Sequence, residues 1–124
     1  MTIFERLTLL EKQAEEFGFM WSQPSQILDQ IQSECEEIRE NIAQQGEQSH
    51  LQEEIGDLLH AAFSLCLFCG FEAEDTLVKS IDKFEKRFEE LKRLVRSSGR
   101  ETLQGQSVAV LMDFWNQAKE GKHF

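Results

Sequence analysis

Two short acidic segments hold the residues best suited to chemistry: "EEIREN", Glu36 to Asn41, and "EEIGDLLH", Glu53 to His60. Each opens with two glutamates and places another acid three residues after the second. Side chains three apart on a helix are neighbours, with Cβ atoms roughly 5–6 Å apart. Glu37 and Glu40 therefore project together, and so do Glu54 and Asp57. A solvated helix face would explain the first pair taken alone. The second pair is harder to explain that way, because its helix contains no lysine or arginine and runs straight into apolar sequence. Acids at the edge of a core need a counter-charge. His60, three residues after Asp57, could pair with it, but one histidine faces several acids. Two acid pairs on adjacent antiparallel helices could instead share divalent cations, and hard oxygen ligands suit Mg²⁺ or Mn²⁺. Glu34, Glu36 and Glu53 lie close enough in sequence to support such ligands.

Cations that could meet an anionic substrate come later in the chain. In "KFEKRF", Lys83 and Arg87 are four apart and share a face, with Lys79 one turn earlier. In "FWNQAK", Trp115 and Lys119 are again four apart. Several cations and an indole suit a phosphate chain and an aromatic base. Ordinary surface pairing is the competing explanation, since Lys79 is three from Asp82 and Arg87 three from Glu90.

The elements that must position these groups all show helical periodicity. Helix one is expected over about Thr2–Phe17, with Ile3, Leu7, Leu10, Ala14 and Phe17 stepping by three and four and Gly18 as the stop. Helix two is expected from a cap at Ser25 to about Gln45, with Ile27, Leu28, Ile31, Cys35, Ile38 and Ile42 as its stripe. Ser49 is the expected cap of helix three, about His50–Cys69, ended by Gly70. Helix three carries apolar residues on nearly all sides beyond His60, as a central helix does. Helix four spans about Glu74–Ser97 and helix five about Val108–Lys119. The expected fold is all-α, a helical bundle of about four core helices plus a short C-terminal helix. A small bundle has limited material to cover helix three, so a homodimer burying part of helices three and four is expected.

The 124 residues suit a single domain, 1–124, and a 40% hydrophobic content with ten phenylalanines argues for a packed globule. The formal net charge of -10 disfavours nucleic acid and anionic membranes, which need a positive footprint. It does not disfavour a small anion bridged by metal. The longest stretch without a formal charge, Leu58–Phe71, has 14 residues, short of the ~18 that a spanning helix needs. No secretory leader is visible in the charged N-terminus. Cys66 and Cys69 form a lone CxxC inside "SLCLFCGF", which reads as core packing, and the expected compartment is the cytoplasm.

At these residues the chain resembles the MazG family of all-α nucleoside triphosphate pyrophosphohydrolases. "GFMWSQPSQILDQIQSECEEIREN" is similar to the family's tryptophan-bearing lead-in and ExxE helix. "LQEEIGDLLHAAFSLC" resembles its ExxD helix. "DKFEKRFEELKRL" resembles its Lys-Phe-x-x-Arg-Phe segment, and "LMDFWNQAK" its closing Trp-x-x-x-Lys helix. An isolated ExxE is common, whereas four segments in this order are specific. The match covers nearly the whole chain and resembles the C-terminal of the two repeats in longer members. It implies Mg²⁺-dependent cleavage of a nucleoside triphosphate to monophosphate and pyrophosphate, with Mn²⁺ as an alternative metal, in a housecleaning role. By position it implies that Glu37, Glu40, Glu54 and Asp57 are the catalytic metal ligands. Lys83, Arg87 and Lys119 would hold phosphates and Trp115 the base or ribose. It also implies subunits that pair as a homodimer or higher homo-oligomer. His60 departs from the family pattern, which is commonly apolar there.

Three alternatives stay open at this point. The "GDLLH" segment also fits a phosphoribosyl-ATP pyrophosphohydrolase or a dUTPase/dCTPase-like enzyme of the same superfamily. A di-iron bundle would want ExxH on two helices, and only Asp57 and His60 approximate one. A non-catalytic helical dimerisation or regulatory module is the third.

Overall fold

Thr2 starts the first helix in the way its sequence suggests. Its hydroxyl accepts from the Glu5 backbone N–H while the Glu5 carboxylate accepts from the Thr2 N–H, a reciprocal cap that satisfies two donors. The computed structural model describes residues 1–121, which form five helices and, among those residues, no strand. They are α1 (Ile3–Phe17), α2 (Pro24–Ala43), α3 (Gln48–Phe68), α4 (Ala73–Ser97) and α5 (Val108–Glu120). The protein is all-α, as the periodicity requires. The last three positions of the single domain expected over 1–124 lie outside the described residues. No single described helix is long and apolar enough to cross a membrane.

The chain divides into two units, Met1–Thr76 and a second beginning at Leu77. In the first unit, α1 ends at Gly18 in the left-handed region (φ 96°), where the Gly18 and Phe19 N–H groups bond back to Glu15 and Ala14 carbonyls. That geometry favours glycine. No residue of α1 is buried. Its ties to α3 are an edge-on ring contact, Phe4 to Phe63 with centroids 5.4 Å apart, and a polar one. Glu11 Oε1 lies 2.9 Å from His60 Nε2 and accepts from Ser64 Oγ at 2.5 Å.

The start of α2 differs from expectation. Pro24, not Ser25, opens the helix, and Gln23 occupies the cap. Proline suits the first helical position because its fixed φ is already helical and its missing N–H has no partner there. The Gln26 side chain then reaches back, and its Oε1 accepts from Ser22 N, Ser22 Oγ and Gln23 N. This pins the turn that presents the exposed Trp21. α3 likewise begins at Gln48 after a Glu47 cap, so Ser49 lies inside the first turn. The chain reverses early because Gln45 adopts φ 54° and Gly46 closes against Asn41. A Cβ at Gly46 would meet the Asn41 side chain at 2.9 Å. The short turn makes α2 and α3 antiparallel, and they pack against one another.

Beyond His60, α3 is less covered than its composition suggests. Phe63, Leu65, Cys66 and Leu67 are half-buried, while Ala62 and Phe68 are exposed. Cys66 donates to Thr76 Oγ1 at 3.2 Å and is a free thiol, as is the exposed Cys69.

In the second unit, α4 continues to Ser97 and α5 starts at a Ser107 cap, whose hydroxyl accepts from Val110 N. Val95, Phe114 and Ala118 are its buried apolar residues. Arg100 lies over the Phe114 ring at 5.5 Å.

Candidate functional site

Antiparallel packing of α2 on α3 brings acids from both helices to one place. Glu34 and Glu54 are each 8% exposed, the two buried charged residues of the described chain. Gln30 Nε2, one turn earlier on α2, donates to Glu34 Oε1 at 2.7 Å. Glu34 Oε2 is buried and has no hydrogen-bond partner, and the same holds for Glu54 Oε1. Glu54 Oε2 lies 3.8 Å from His50 Nε2. Leaving a buried carboxylate oxygen unpartnered is costly unless something outside the protein chain satisfies it.

Glu37, exposed one turn after Glu34, feels the charges of both. Its carboxyl is pushed above the ordinary value of 4.5, chiefly by the charge of Glu34. Partial loss of water and the charges of Glu54 and Asp57 add to the same effect. The group that the fold gathers is therefore Glu34, Glu37, Glu54 and Asp57. Three of the four expected ligands are in it. Glu40, the fourth, lies one turn beyond Glu37 and is exposed, as Glu37 and Asp57 are. Among the described residues no group of three or more His, Cys, Asp or Glu side chains is placed so that it could hold a metal ion as it stands. The donors nonetheless fit a divalent cation, being hard oxygens of which two are buried and unpartnered. His60 does not pair with Asp57, since its ring turns to Glu11.

Glu34 is the residue that helical spacing should have singled out. It falls in the row Ile27, Ile31, Glu34, Ile38, an acid in an otherwise apolar stripe. Reading ExxE as Glu37–Glu40 hid an overlapping ExxE, Glu34–Glu37.

The second unit holds a cationic cavity of about 560 Å³. Lys79, Lys83, Lys86 and Arg87 line it from α4 and Lys119 from α5, with Asp82 and Glu90 as the acids. The three cations expected to hold phosphate, Lys83, Arg87 and Lys119, are thus brought together. Lys86, three residues after Lys83, joins them. Glu90, offered as a partner for Arg87, bonds to Arg93 on its own helix. Trp115 is not among the cavity's lining residues. It is half-buried against Phe84, with centroids 5.7 Å apart and planes at 43°, and Phe84 stacks in turn on Phe88 at 6.0 Å.

A family model described as the MazG nucleotide pyrophosphohydrolase domain matches residues 22–92. The chain belongs to the MazG family. The matched segment contains all the gathered acids and Lys83 and Arg87, while Trp115 and Lys119 lie outside it. An Escherichia coli protein named nucleoside triphosphate pyrophosphohydrolase is 33% identical over 115 residues, which is 92% of this MazG chain and 43% of that relative. A Thermotoga maritima protein named nucleoside triphosphate pyrophosphohydrolase/pyrophosphatase MazG is 30% identical over 112 residues, 90% of this chain and 42% of the relative. The MazG chain therefore spans less than half the length of these curated relatives.

Proposed function

We propose that the protein hydrolyses a nucleoside triphosphate to its monophosphate and pyrophosphate, using Mg²⁺ or Mn²⁺ held by the α2–α3 acids. The observation that carries this reading is the pair of buried, unpartnered oxygens on Glu34 and Glu54 beside Glu37, within a matched MazG domain. A bound divalent cation supplies charge neutralisation to phosphate oxygens and acidifies water. Glu37, Glu54 and Asp57 would hold it, with Glu40 as the remaining motif acid. Lys83, Arg87 and Lys119 hold the phosphate chain by charge-assisted hydrogen bonds, and Trp115 offers its indole to the base. A carboxylate of the cluster that is not committed to the cation takes the proton of the attacking water. The water oxygen bonds to phosphorus, the bridge between the α- and β-phosphates breaks, and pyrophosphate leaves with the bridging oxygen or gains the water oxygen.

The same reading takes the protein to be a cytoplasmic homodimer that clears unwanted nucleotides. Exposed apolar side chains on α3 in the first unit (Ile55, Leu59) and, separately, on α4 in the second (Ile81, Phe84, Phe88) support pairing, because exposed apolar patches mark interaction faces.

The test is pyrophosphate release from canonical, deoxy and damaged nucleoside triphosphates, with Mg²⁺ and with EDTA. Metal-dependent release from at least one of them is expected. No release from any nucleotide, or release that EDTA leaves unchanged, overturns the reading.

A further inference from the structure

We infer that Lys86 meets the terminal phosphate of the substrate and so sets the preference for a nucleoside triphosphate over the diphosphate. The inference rests on the proposed placing of the phosphate chain in the cationic cavity and of the base at Trp115. It adds to them a residue that falls between the two motif positions Lys83 and Arg87.

Charge gives the first reason. All the groups involved belong to the second unit. The cavity lining holds five cations against two acids, an excess that a polyanion answers. Lys86 is exposed and, among the described residues, has no ion pair. Glu90, four residues later and at the usual spacing for a partner on a helix, bonds to Arg93. The Lys86 ammonium is therefore open to a ligand.

Position gives the second. Counted around α4 from Phe84 at roughly 100° per residue, Arg87 lies about 60° away, Lys83 about 100° and Lys86 about 160°. Trp115 rests on Phe84. A base held at Trp115 thus lies on the Phe84 side of α4, with Arg87 the nearest of these three cations and Lys86 the farthest. Phosphates leading away from that base pass Arg87 and Lys83 before they reach Lys86. The last phosphate is the one that a diphosphate lacks.

The probes are the α,β-methylene analogues of ATP, GTP, CTP and UTP and of the matching diphosphates, which resist cleavage at the α–β bridge. Affinities are read by calorimetry with Mg²⁺ present, on full-length variants whose melts match the wild type. For the base that the wild type binds best, Lys86→Ala is expected to weaken the triphosphate by about tenfold, the worth of one charge-assisted hydrogen bond. The diphosphate should weaken by no more than about twofold, the scale of an exposed charge acting without contact. Lys86→Arg, which keeps the charge, is expected to keep the wild-type ratio of the two affinities. Lys83→Ala is expected to weaken both ligands alike. Equal losses for both ligands in Lys86→Ala, or no loss, overturn the inference, and a loss in Lys83→Ala then leaves the cavity standing as the phosphate site. Unchanged affinities in Lys83→Ala and Arg87→Ala, or no binding of any analogue, overturn the phosphate placing beneath it.

Discussion

Trp115 leans on Phe84, with ring centroids 5.7 Å apart and planes tilted by 43°. One indole face is therefore committed to packing, and any base it meets must use what remains. Trp115→Ala is expected to cost about 2 kcal/mol of stability, below the 3–5 of a fully buried tryptophan because the side chain is only half-buried. It is also expected to raise KM with little change in kcat, since stacking is largely kept from ground state to transition state. Thermal melts and steady-state kinetics on the folded variant check the two parts separately. A lowered Tm with an unchanged KM would leave Trp115 a packing residue.

Asp57 is exposed beside the buried acids and adds its charge to their repulsion. Asp57→Asn should abolish pyrophosphate release while leaving the metal-free Tm unchanged or raised. Activity assays and melts in EDTA test this, and full activity would remove Asp57 from the site.

Lys119 shares its cavity with Lys79, Lys83, Lys86 and Arg87. Lys119→Ala should weaken a non-hydrolysable triphosphate by about tenfold, the worth of one charge-assisted hydrogen bond, and the monophosphate less. Equal losses for both ligands, read by calorimetry, would argue against a contact with the phosphate chain.

Glu37 gives the metal-free protein a pH signature. Its carboxyl is raised in the folded state, so the native protein binds that proton more tightly than the unfolded chain does. The resulting stability is fully present below the ordinary value of 4.5 and is lost as pH rises through the higher folded value. Glu37→Gln cannot titrate. Relative to that variant, wild type should lose stability as pH rises from about 4.5 towards neutrality. Paired melts in EDTA cancel the contribution of the other carboxylates that titrate alike in both proteins. A difference that does not vary with pH would contradict the repulsion.

Glu11 gathers His60 and Ser64 and, with the Phe4–Phe63 contact, ties α1 to α3. Because α1 buries no residue, Glu11→Ala should cost about 1–2 kcal/mol and speed amide exchange across α1 more than across α2. Hydrogen-exchange mass spectrometry measures it, and uniform protection in both helices would show that α1 is held by other contacts.

The helices were legible because Ile27, Ile31, Ile38 and their counterparts repeat at helical spacing, and burial enforces that repeat. Their starts were less so. Ser25 and Ser49 are good caps in isolation, but Pro24 with Gln26, and the reversal at Gln45–Gly46, set the first turns earlier. The acid pair on α3 could be read from its own spacing. The α2 acids could not, since two overlapping ExxE pairs share Glu37 and only packing against α3 distinguishes the buried one. His60 and Glu11 lie 49 residues apart, a distance over which helical spacing carries no information.

Gln26 fixes the turn that presents Trp21 in the first unit, and Trp115 rests on Phe84 in the second. The sequence contains two tryptophans and no tyrosine. Near-ultraviolet absorption and emission therefore come almost wholly from two indoles, one in each unit. Trp21→Phe leaves an optical reporter confined to the second unit, and Trp115→Phe one confined to the first. With these two variants, a single cuvette can follow the half that carries the acids and the half that carries the cations as a nucleotide is added.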